Sequence, residues 1–141
     1  QIAYSFFISM FNNFEHSIRI VCKNYDFELY KEQKERFEPI IKSMMGRMEL
    51  MNKDRNNFIE LVTTIRNSFH NNGLFVSPHE KPKPIKWDQE TYVFNHNSII
   101  KFKKDIWEEY IIFNIEYLKL FDKIINSMDT LKFDFLDDIT E

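Results

Sequence analysis

Glycine occurs only twice and cysteine once in this chain of 141 residues, and each scarcity excludes something. With so few glycines the chain is not a turn-rich β-sandwich. With 29% charged residues and a net charge of −3 it lacks the charge excess of a disordered segment. The single Cys22 has no partner for an internal disulfide and leaves no cysteine cluster for zinc, which fits a reducing cytoplasm. At the end of an apolar stretch it reads as a buried, inert thiol. No run approaches the roughly 18–20 consecutive apolar residues of a membrane span, and Ile2 to Phe11 lacks the basic flank of a signal peptide, so no membrane partner is expected. A Gly-rich phosphate loop, an internal repeat and a contiguous basic strip are also missing. Neither a metal nor a cofactor is expected. Because the chain starts at Gln1 and not at an initiator Met, it is open to being a piece of a longer protein.

What the chain has in quantity is aromatic residues: fifteen Phe, six Tyr and two Trp. In a single domain spanning 1–141 they are enough to fill a core, and a chain of this length buries about two-thirds of its unfolded surface without a staple. The apolar spacing is mostly helical. A first helix is expected from Ile2 to about Lys23, with Tyr4, Phe7, Phe11, Phe14, Ile18 and Val21 or Cys22 inward and His16 on the surface. Asn24-Tyr25-Asp26 forms a turn, and Asp26 is placed to cap a second helix from Phe27. The run Lys31 to Arg36 is a solvated charged face. Pro39 predicts a kink or restart before a methionine stripe at Met44, Met45, Met48 and Met51, which is core filler or, as a minority option, an adaptable partner surface. Asn52-Lys53-Asp54 marks the next start, with Asp54 able to cap.

After Gly73 the period changes. Residues 77–84 carry three prolines and read as loop. Ile85, Trp87, Tyr92, Val93 and Phe94, a turn at Asn95-His96-Asn97-Ser98, and then Ile99 to Phe102 suggest a small β-hairpin. His79 and His96 fall in loops and do not make a metal motif. From about Lys104 a last long helix is expected, with Trp107, Ile111, Leu118, Phe121, Ile124 or Ile125 and Met128 inward. Asp129 to Glu141 reads as a docked or loose tail. The fold class expected is therefore mostly α: an antiparallel four-helix bundle with a hairpin insertion at about 74–102, ahead of the last helix.

Functional-looking residues concentrate at the end of the third expected helix. Phe58, Leu61, Val62, Ile65 and Phe69 share one face, while Arg66 and His70, four apart, project together from a neighbouring one. Asn71-Asn72-Gly73 tolerates the left-handed conformation that stops helices, so His70 belongs to the last turn beside unsatisfied carbonyls, a location that favours its protonated form. Arg66-Asn67-Ser68-Phe69-His70-Asn71-Asn72-Gly73, late in a helix of a helical domain, resembles the Arg-polar-His signature of the HEPN superfamily. The spacing between Arg66 and His70 is shorter than the family's usual one. The resemblance implies a helical bundle that commonly pairs as a homodimer, and often a metal-independent ribonuclease in a prokaryotic defence or toxin–antitoxin setting, with an antitoxin or other regulatory protein as a further partner.

The chemistry of such a site is straightforward. Metal-independent RNA cleavage needs a group to take the 2′-hydroxyl proton, one to protonate the leaving oxygen, and fixed positive charge for the phosphorane. His70 and Arg66 are the catalytic candidates, since an imidazole titrates in the useful range and a guanidinium matches phosphate oxygens. Asn67 and Asn71 are the substrate-binding candidates. One histidine can hardly make both proton transfers, so two copies facing across a dimer suit the reaction better. Two alternatives stand beside this. Arg66 and His70 also suit capping of helix carbonyls or pairing with Glu60, and the chain also suits a non-catalytic HEPN-like dimerisation or RNA-binding module.

Overall fold

The structure, a computed structural model, describes residues 2–33 and 36–128; the expected tail at 129–141 lies outside them. Among the described residues five α-helices dominate: α1 (Ile2–Tyr25), α2 (Phe27–Gln33), α3 (Phe37–Arg47), α4 (Lys53–Ser68) and α5 (Ile106–Asn126). Four short strands lie between α4 and α5: β1 (Leu74–Phe75), β2 (Lys83–Trp87), β3 (Glu90–Phe94) and β4 (Ser98–Ile99). The chain is thus mostly helical with a small antiparallel excursion before the last helix, as its periodicity implies. It packs as two compact units. One combines the described residues of 1–11 with Asn52–Phe113, and the other combines the described residues of 12–51 with those from Asn114 on.

In the second unit, Asp26 stands between α1 and α2 and caps α2, its Oδ1 accepting from the Leu29 N–H at 3.0 Å. Its other carboxylate oxygen pairs with Arg47. The break expected at Pro39 comes earlier, and the expected second helix is two helices. Arg36 is extended (φ −128°), and Pro39 is the third residue of α3, where backbone N–H groups have no acceptor within the helix. The proline therefore costs no hydrogen bond there and does not kink α3. Met44 and Met45 are fully buried beside Ile40 and Ile41, whereas Met48 and Met51 lie past the end of α3, so the methionines are filler only where the helix continues. Phe14 stacks on Tyr117 at 4.6 Å and meets Phe37 edge-on at 5.9 Å. Cys22 is fully buried, and burial pushes its thiol pKa up, against the lowering effect of Arg47 and Arg19. An inert thiol is the consequence.

In the first unit α4 is capped by Asn52, not Asp54: the Asn52 Oδ1 accepts from the Arg55 N–H at 2.8 Å, and Asp54 sits inside the first turn. Phe58, Leu61, Val62 and Ile65 are buried as their spacing implies, and Phe69 reaches Tyr4 and Phe7 at 4.9 and 5.5 Å between ring centres. The hairpin differs in its turn. β2 pairs with β3 around Asp88 and Gln89, both left-handed (φ 51° and 65°), while Asn95–Ser98 leads instead into β4, which pairs with β1. Two left-handed residues match the twist of a two-residue hairpin, and Asp88 is of a type that tolerates that region. Lys83 and Pro84, expected in a loop, belong to β2. The Lys86 carbonyl accepts from Asn57 of α4 at 2.7 Å, so that edge of β2 faces away from β3; Pro84, two residues earlier, directs its missing donor to the same edge.

The last helix starts at Ile106 rather than Lys104, with Asp105 accepting from the Trp107 N–H at 3.0 Å. Its buried face is the expected one only in part: Ile124 is buried there and Met128 is buried just beyond its end, but Tyr110, Phe113, Tyr117 and Leu120 make up the rest, whereas Trp107, Ile111 and Leu118 are 41%, 50% and 63% exposed. Apolar residues occupy two sides of α5, so periodicity alone does not select between them. Glu109, buried in the same helix, accepts from the Tyr92 hydroxyl at 3.0 Å. Burial first, and then the Glu109 carboxylate, pushes the Tyr92 phenol pKa well above its usual range, which keeps it a hydrogen-bond donor to that carboxylate.

Candidate functional site

The end of α4 is built by its stop signal. The α-helix finishes at Ser68 and passes into one 3₁₀ turn, Phe69–Asn71, after which Asn72 (φ 56°) and Gly73 (φ 81°) are left-handed and the Gly73 N–H closes onto the Ser68 carbonyl at 2.9 Å. Asn and Gly are the residues that reach this region at least cost. The tighter turn has a consequence for the expected pair. Arg66 sits in the last α-helical turn and His70 in the 3₁₀ turn, so His70 is rotated from the position that a regular helix would give it.

The four candidate residues fall into two sets. Arg66 lays its guanidinium over the Phe11 ring, 5.5 Å from the ring centre, with Nη1 at 3.4 Å from Asn67 Oδ1. His70 is exposed. Asn67 and Asn71 instead line a cavity of about 400 Å³, together with Thr64 and Ser68 of α4 and residues of the segment Phe75–Lys83. Neither Arg66 nor His70 is part of that lining.

The cavity has one helical wall and one loop wall. Thr64 and Asn67, three apart, share one side of α4, and Asn71 joins the same wall from the 3₁₀ turn. Opposite them Val76, Pro78 and Pro82 supply apolar surface, and His79, Lys81 and Lys83 supply nitrogen donors; none of the described lining residues is a carboxylate. The Lys83 ammonium is held at 3.2 Å from Glu60 Oε1 and 3.3 Å from Thr64 Oγ1. The loop is tied down by His96, whose Nδ1 accepts from the Ser77 N–H at 3.0 Å, and by Phe75, which packs on Phe94 at 5.7 Å and accepts from the Asn97 N–H at 2.7 Å. His96 is thus structural, while His79, set aside as an ordinary loop residue, lines the cavity. Spacing along the chain missed Thr64, Lys81 and Lys83 as well. The available signal was Pro78-His79-Glu80-Lys81-Pro82-Lys83-Pro84, where proline fixes the backbone between cations.

Among the described residues no three His, Cys, Asp or Glu side chains come together as a metal-binding group. No helix among them is long and apolar enough to cross a membrane. Comparison with protein-family models, with curated proteins and with solved structures finds no match to this chain.

Proposed function

We propose that the chain is a HEPN-like helical-bundle domain that binds single-stranded RNA at the end of α4 and cuts it without a metal ion, His70 moving the proton and Arg66 holding the phosphate. The observation that carries this is the position of His70: an exposed titratable group next in the chain to Asn71, which lines a cavity whose described residues include two lysines and no carboxylate. Anionic backbone is attracted to such a wall. In the reaction a base takes the 2′-hydroxyl proton, the 2′-oxygen attacks phosphorus, and the 5′-oxygen leaves with a proton, giving a 2′,3′-cyclic phosphate and a 5′-hydroxyl. The resemblance sets the activity in a prokaryotic defence or toxin–antitoxin system. The assay is cleavage of labelled single-stranded RNA in EDTA by the parent and by His70→Ala. Cyclic phosphate products from the parent alone are expected, and equal cutting by both would overturn the assignment.

Two proton transfers call for two imidazoles, and a homodimer supplies them. A second copy has a surface available to it in the first unit: Trp107 and Ile111, four apart on α5, are both exposed. An isologous contact there uses each patch twice. Light scattering is expected to give twice the 17.3 kDa of one chain, and Ile111→Glu to return the mass to that of a monomer. A monomeric parent at micromolar concentration would contradict the pairing.

One observation favours the second function, a non-catalytic dimerisation or RNA-binding module. Arg66 rests over Phe11 and against Asn67, the posture of a packing residue. On that account RNA is bound but left uncut, and His70→Ala changes nothing beyond affinity.

A further inference from the structure

We propose that the cavity beside α4 is a pocket for one phosphate-bearing nucleotide, with the ammonium groups of Lys81 and Lys83 taking the phosphate and the amides of Asn67 and Asn71 taking the edge of the base. This deepens the RNA-binding function by giving the strand a recognised nucleotide, and rests on that function only for the claim that the nucleotide belongs to RNA. The cavity volume of about 400 Å³ lies within the range of roughly 300–1,000 Å³ in which small ligands bind. Its chemistry is divided. The cations come from the loop wall, and the amides, each with two donors and an acceptor, come from the helix wall. That division suits a ligand with a charged end and a neutral hydrogen-bonding end, whereas inorganic phosphate would use only the first. Val76, Pro78 and Pro82 add apolar contact for a ring.

The pocket is also organised in advance. Glu60 and Thr64 engage two of the three donors of the Lys83 ammonium and hold it in place. His96 anchors the loop through the Ser77 N–H, and two prolines among the lining residues restrict its backbone. Little ordering is then required on binding, which preserves affinity. None of the described lining residues is a carboxylate, and Glu60 stands behind them as the ion-pair partner of Lys83.

The test is calorimetric titration of the full chain with adenosine 5′-monophosphate, adenosine and inorganic phosphate, alongside binding of a single-stranded RNA octamer. The monophosphate is expected to bind at least about tenfold more tightly than either fragment, and Lys81→Ala and Asn71→Asp are each expected to weaken it about tenfold, as loss of a charge-assisted contact or gain of a facing carboxylate does. Both positions are exposed, so circular dichroism should be unchanged. Binding no tighter than that of inorganic phosphate, or indifferent to both substitutions, overturns the pocket. Should the octamer bind while the monophosphate does not, the pocket fails and RNA binding stands. Should the monophosphate bind through Lys81 while RNA is neither bound nor cut, RNA function fails and the pocket stands.

Discussion

Replacing Phe113 with alanine is expected to destabilise the protein by about 3–5 kcal/mol, the range found when a buried phenylalanine is truncated in a core that cannot collapse. Phe113 has no exposed surface, and the rings of Phe7, Phe58, Trp87, Tyr92, Phe102 and Tyr110 all lie with centres within 6.5 Å of its own. Planar neighbours of this kind have few alternative rotamers with which to fill a void, so the lost contacts are not regained. Against a typical total stability of about 5–15 kcal/mol, this single change removes a large share. Urea unfolding followed by circular dichroism measures it, with Leu118→Ala as the comparison. Leu118 is 63% exposed, and its truncation should stay within about 0.5 kcal/mol of the parent. Coincident midpoints for the parent and Phe113→Ala would show that α5 does not anchor the first unit.

The second large effect is chemical. His70→Ala is expected to lower RNA cleavage by about 10²–10⁴-fold, the contribution typical of a positioned general acid or base, while leaving the unfolding midpoint where it was because the side chain is exposed. Arg66→Lys should also lose most of the activity. Lysine keeps the charge, but it reproduces neither the planar fork that matches phosphate oxygens nor the face-on contact with Phe11. The two substitutions separate chemistry from packing. If Arg66→Lys lowers stability and the parent binds RNA but leaves it uncut, Arg66 is a packing residue and the non-catalytic function takes over.

Much of this was legible in the chain because local chemistry decided it. The α4 face from Phe58 to Ile65 follows from apolar residues at helical spacing, and its end at Asn72 and Gly73 follows from the left-handed backbone that those residues accept. Asp26 as a cap and the alternation of Ile85, Trp87, Tyr92 and Phe94 are of the same kind. Where two local solutions compete, tertiary contacts choose. Asp88-Gln89 and Asn95–Ser98 both form turns, and only pairing of Lys83 with Phe94 shows which one closes the hairpin. Along α5, Trp107 and Ile111 are as apolar as Phe113, and burial of one set is settled by residues far away in sequence. Pro39 shows the limit of a breaker as a signal, since its effect depends on its distance from the helix start, which was itself unknown. The cavity was least visible of all. Thr64, Asn67 and Asn71 meet Lys81 and Lys83 only after Asn72 and Gly73 turn the chain and β1 pairs with β4.

The central claim is that RNA is handled where α4 ends, and mapping of amide chemical shifts on titration with a short single-stranded RNA tests it most directly. The account predicts the largest changes at Arg66, Asn67, His70, Asn71 and Gly73 and across His79 to Lys83. No change at those positions under saturating RNA, or changes centred elsewhere, would contradict it.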